Sequence, residues 1–184
     1  TGVTRVNIAE TANAVAQTVS GLETGATVSI LENAAVTQTV DTVAGASVTV
    51  LSTIAKTGGA LAITDAANVT LTANLASSDL VAVSLDAVDT TALTVKSTGV
   101  LDIATGLITG TDKLETLTVT SDTATGVVTM GDLADADALT SLTVTAVGGD
   151  ITLGEVGGTI QAGSGIGEAL VTVTIKASAS GALF

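Results

Sequence analysis

The stretch Leu114-Glu115-Thr116-Leu117-Thr118-Val119-Thr120 returns from position 139 as Leu139-Thr140-Ser141-Leu142-Thr143-Val144-Thr145. Further copies are Val69-Thr70-Leu71-Thr72, Leu93-Thr94-Val95-Lys96 and Val171-Thr172-Val173-Thr174, so that the strand copies start at Val69, Leu93, Leu117, Leu142 and Val171. The spacing is nearly constant until it lengthens before the last copy. Each copy alternates apolar residues with Thr or Lys, the two-residue period of a strand that buries one side. A single unit has nothing to bury that side against. Stacked units do, and strands of successive coils then pair about 4.8 Å apart along one axis. The repeat predicts an all-β chain folded as a parallel β-solenoid (β-helix) of about eight coils of roughly 20–25 residues.

A second strand series falls between the copies: Leu61-Ala62-Ile63-Thr64, Val81-Ala82-Val83-Ser84-Leu85, Val100-Leu101-Asp102-Ile103, Val127-Val128-Thr129-Met130 and Asp150-Ile151-Thr152-Leu153. Gly58-Gly59, Ser77-Ser78-Asp79, Ser97-Thr98-Gly99, Gly126 and Gly148-Gly149 supply the turns. Toward the N-terminus, Ala16-Gln17-Thr18-Val19 recurs as Thr37-Gln38-Thr39-Val40, and the segment 25–31 recurs as 45–51, in the same order and at nearly the same offset. The helical spacing of Val15, Val19 and Leu22 competes with that repeat, and a capping helix near residues 8–16 is the alternative there. Residues 1–184 read as one repetitive β domain, with coils strongest at 14–153, a looser Gly-rich stretch at 154–169 and a final strand at 170–176. The competing fold is two antiparallel β-sandwich domains. Against it stands a core without Trp or Tyr and with one Phe, at position 184, because Val, Leu, Ile and Ala suit narrow regular layers.

Pro and Cys are both absent, so no residue interrupts a hydrogen-bonded ladder and no disulfide or thiolate site contributes. Eighteen acidic side chains against five basic ones give a formal charge of −13. That balance argues against nucleic acid and against anionic lipid heads, both of which need a basic surface. No apolar run is long enough for membrane insertion by a helix. The chain begins at Thr1 without a signal peptide, which leads us to expect a mature chain or a fragment.

Without His or Cys the usual general base and thiolate nucleophile are missing. The basic residues Arg5, Lys56, Lys96, Lys113 and Lys176 are scattered along the chain, and carboxylate pairs such as Asp86 with Asp89 lack an aromatic sugar platform, so no enzyme is expected. The candidate metal site is Asp132, Asp135 and Asp137 in one loop, with Asp112 or Asp122 from a neighbouring coil. Hard oxygens on a loop suit Ca2+, the one cofactor expected, although a solvated acidic corner explains the same residues. Thr70/Thr72, Thr118/Thr120, Thr143/Thr145 and Thr172/Thr174 should stack outward as a hydroxyl and methyl array, interrupted by Lys96. Such an array resembles the ice-binding face of solenoid antifreeze proteins. Asn68-Val69-Thr70 fits a glycosylation sequon at the start of a strand.

The Leu-x-x-Leu-Thr-Val-Thr unit at 114–120 and 139–145 is similar to the β-strand repeats of bacterial surface-layer proteins and related secreted adhesins. The resemblance covers most of residues 25–176, and the glycine-aspartate nonapeptide of calcium-binding toxin repeats is absent. It implies an extracellular, bacterial cell-surface protein that assembles with itself into a lattice or filament, with Ca2+ linking acidic surfaces. The alternatives are an adhesin module binding a cell-surface or host glycan, and an ice-binding solenoid.

Overall fold

The computed structural model describes residues 3–9, 15–31, 37–52, 61–73, 78–79, 83–85, 89–103, 108–109, 113–123, 126–130, 138–147, 149–153 and 172–177. Every strand pairing among them is parallel, and no described residue is helical. The fold is a parallel β-solenoid, which removes the antiparallel sandwich alternative.

Three strand ladders run along the axis. The longest follows β1 (Arg5–Ile8), β3 (Ala26–Ile30), the second half of β4 (Gln38–Ser52), the second half of β5 (Leu61–Ala73), β8 (Ala92–Ser97), β11 (Thr116–Ser121), β13 (Ser141–Ala146) and β15 (Thr172–Ala177). We call it the threonine face. A second face stacks β6 (Ser78–Asp79), β9 (Val100–Ile103), β12 (Val127–Met130) and β14 (Ile151–Leu153). The third stacks β2 (Gln17–Leu22), the first halves of β4 and β5, β7 (Val83–Leu85) and β10 (Ile108–Thr109). About eight coils were expected. Eight rungs form the threonine face, but only four coils carry described strands on the second face as well, so about four full turns are described.

Spacing along the chain groups 61–64 and 81–85 in one series with 100–103, 127–130 and 150–153. The structure divides that series between the third and second faces. Period-2 alternation looks the same on every face of a solenoid, so pattern alone does not say which face a strand joins. Ser78 and Asp79, expected in a turn, form a short strand beside Leu101 and Asp102. The capping-helix alternative falls partly on residues 10–14, outside the described residues; the flanking segments 5–8 and 17–22 are strands.

Inward side chains stack in columns. Val48, Val69, Leu93, Leu117 and Leu142 form one column, and Val28, Val50, Leu71, Val95, Val119 and Val144 the next, all buried. The repeat motif gains a physical reading from this. Leu114 and Leu117 are separated by an odd number of positions, so one straight strand would point them to opposite sides. β11 begins only at Thr116, which leaves Leu114 on the preceding corner, and both leucines are buried. Leu139 repeats the arrangement one coil on, and Ala66 and Thr90 are the buried corner residues of the two coils before. The buried Thr90 hydroxyl donates to the Ala66 carbonyl at 2.7 Å, which satisfies it inside the core.

At the opposite end of the threonine face the core column narrows. Ile8 and Ile30 give way to Ser97, Ser121 and Ala146. Small residues there let the chain turn directly onto the second face. The buried Ser97 and Ser121 hydroxyls donate to the carbonyls of Gly99 and Gly149. Gly126 and Gly149 stack so closely that a Cβ on Gly149 would overlap the Gly126 carbonyl oxygen. Glycine is required at that contact.

Candidate functional site: the threonine face

The register of the longest ladder places Arg5, Thr27, Thr49, Thr70, Thr94, Thr118, Thr143 and Thr174 in one outward column. Seven consecutive threonines, each half-buried, stand in line behind an exposed Arg5. Their β-branched side chains favour the extended backbone, and the register sets each about 4.8 Å from its counterpart on the next rung. Neighbouring outward columns vary more. One runs Asn7, Ser29, Leu51, Thr72, Lys96, Thr120, Thr145 and Lys176, with Ser29 buried.

The column members fall at unequal intervals along the chain, shortest from Thr49 to Thr70 and longest from Thr143 to Thr174. Strands β8, β11, β13 and β15 all have the same length, so the drift falls in the corners and connections. The expected pairs Thr70/Thr72, Thr118/Thr120 and Thr143/Thr145 are each present with one member in the threonine column. The pair Thr172/Thr174 is displaced. Leu142 pairs with Val173 where Val171 was expected, so Thr174 joins the column and Thr172 sits beside Ser141. A similar slip affects the N-terminal repeat, because Ala26 pairs with Val48 where Ala46 was expected. Both errors are even, so every side chain kept its side of the sheet. By contrast Gln17, Thr18 and Val19 pair with Gln38, Thr39 and Val40 as the sequence implied.

Thr27, Thr49 and Thr94 fall outside the expected Thr-x-Thr pairs because no second Thr follows at the next outward position in their strands. Spacing from the aligned Val-x-Val and Leu-x-Val cores would have found them.

Three of the five basic residues come together in space. Arg5, Lys96 and Lys176 all lie outward and exposed on the threonine face, whose strands contain no Asp or Glu. Described carboxylates lie at the corners and on the other two faces: Glu23, Glu115, Asp122 and Asp150 are exposed corner residues, and the register sets Asp79 beside Asp102 on the second face.

Asp132, Asp135 and Asp137, the candidate Ca2+ ligands, and Asp112 lie outside the described residues, as does Asp86. Asp122 is exposed directly after β11, and its backbone N–H donates to the Ser97 carbonyl at 2.8 Å. Among the described residues no group of three acidic side chains is placed to hold a metal. Asn68 of the sequon lies within β5, exposed, with its amide donating to the Ser47 hydroxyl at 3.1 Å. No described helix is long and apolar enough to cross a membrane. No family model, curated protein or solved structure matches the chain.

Proposed function

We propose that this chain is a non-catalytic structural unit of a bacterial surface layer or surface filament, extracellular and self-assembling. The observation that carries the reading is the unbroken parallel ladder of eight rungs, which makes a straight element about 34 Å long from first rung to last at about 4.8 Å per rung. A rod held by hydrogen bonds in every rung transmits load along its axis and presents the same outward chemistry to each neighbour. Its partner is another copy, with a cell-surface glycan as the adhesin alternative. Ca2+ bridging through Asp132, Asp135 and Asp137 would relieve repulsion between acidic surfaces. Analytical ultracentrifugation and electron microscopy with and without Ca2+ test the reading, with concentration-dependent assembly as the expected result. A chain that remains monomeric at high concentration in both conditions sinks it.

The seven-threonine column favours a second reading, binding to ice. Leu51, Lys96 and Lys176 in the adjacent column stand against it, because long side chains hold a rigid lattice away from the sheet. Thermal hysteresis at modest protein concentration decides this reading.

A further inference from the structure

We propose that the threonine face docks laterally onto the acidic corners of a second copy of this chain, an inference that rests on the self-assembling reading above. Charge is the first argument. The strands of the face carry Arg5, Lys96 and Lys176 without one acidic residue, a formal +3. The chain totals −13, so the remainder carries −16, eighteen acids against Lys56 and Lys113. A surface of opposite sign to the rest of the molecule has its complement on every other copy.

Position is the second argument. The three cations sit on the first, fifth and eighth rungs, so they span the whole length of the face. Exposed carboxylates recur at the corners along the rod, with Glu23 before β3, Glu115 and Asp122 on either side of β11, and Asp150 before β14. Paired charges at several heights fix the axial register of two rods, which a single ion pair does not do.

Size is the third. Strands of this length by eight rungs cover about 20 Å by about 34 Å, on the order of 700 Å2, close to the roughly 800 Å2 per partner of a standard stable interface. Short Thr side chains leave the surface even, and their methyl groups supply apolar contact between the charged anchors. The donor and acceptor surfaces are different parts of the molecule, so the contact is heterologous. Each copy offers both surfaces, and the association propagates sideways.

The test compares the native chain with the double charge reversal Lys96→Glu/Lys176→Glu by sedimentation velocity across concentration and ionic strength, with and without Ca2+. Both lysines are exposed, and unchanged circular dichroism and melting confirm that the variant folds. The native chain should assemble at low ionic strength and dissociate as salt is raised, and the reversal should raise the half-assembly concentration about tenfold or more. Equal assembly of the two chains, with or without Ca2+, overturns the inference and leaves the self-assembling reading standing. A native chain that is monomeric under every condition overturns both. Thermal hysteresis, or co-pelleting with a uronic-acid polysaccharide, by that monomer would then identify what the face binds instead.

Discussion

Replacing Gly149 by Ala should cost about 2–4 kcal/mol, a magnitude built from three ladder hydrogen bonds at roughly 1 kcal/mol each. An added Cβ would overlap the Gly126 carbonyl oxygen and lie 2.5 Å from its carbonyl carbon and 3.0 Å from its nitrogen. All three obstacles are backbone, so no side chain can swing aside. Gly126 is itself tied to the preceding rung, through the Val127 N–H that donates to the Gly99 carbonyl at 2.7 Å. Room for the methyl group comes only from parting the rungs. The bonds that hold the corner are Ser121 Oγ to the Gly149 carbonyl, Val147 N–H to the Ser121 carbonyl and Val128 N–H to the Asp150 carbonyl, each 3.0 Å. Solenoid coils couple mainly to their neighbours, so the damage should stay local. Hydrogen exchange should accelerate over residues 116–153 and stay near native over 17–52, and urea denaturation should show the loss of stability. A variant within about 0.5 kcal/mol of native, with unchanged exchange at 116–153, would refute the close-stacked corner.

Two further substitutions separate the remaining forces. Leu117→Ala removes a side chain that is 1 % exposed and stacked between Leu93 and Leu142, so denaturation should show a loss of about 2–5 kcal/mol; a loss under about 1 kcal/mol would mean that the column is not close-packed. Gly45 has φ +77° with nothing within 4 Å of an added Cβ, so Gly45→Ala should cost about 1–2 kcal/mol from backbone strain alone, and Gly45→Asn should recover part of it. Identical melting of the Ala and Asn variants would show that the left-handed conformation is not what limits this corner.

The sequence announced the solenoid because its strands repeat side-chain parity, and parity survives both corner insertions and even-numbered slips. Leu93, Leu117 and Leu142 share Leu-Thr-Val cores, and their register was read correctly. The final rung was misjudged, because Val171-Thr172-Val173-Thr174 and Val173-Thr174-Ile175-Lys176 fit an alternating pattern equally well. Which of three faces a strand joins was also not legible. That depends on where corners fall, and corners here are set by steric contacts between coils, such as Gly126 against Gly149, which a whole coil of sequence separates. The gathering of Arg5, Lys96 and Lys176 needed the same information. In sequence they are far apart; the ladder alone puts them on one surface.

The threonine column and the charge asymmetry share one physical cause. In a parallel in-register ladder, equivalent residues of adjacent rungs stand about 4.8 Å apart, where two like charges repel by about 1 kcal/mol in water and about 3 kcal/mol in a surface-like dielectric. A column of identical charges would accumulate that cost at every rung. The threonine face avoids it: Lys96 stands between Thr72 and Thr120, Lys176 beside Thr145 and Arg5 beside Thr27. Neutral β-branched residues are the suitable filling between such isolated charges, because they keep strand propensity without electrostatic repetition. Glu23, Glu115, Asp122 and Asp150 stand at corners, where insertions of differing length let side chains diverge from strict registry. The backbone register of Asp79 beside Asp102 on the second face is the described exception. Isolated charges set in neutral columns let the strands of one face keep a single sign, which is the property the proposed lateral contact requires.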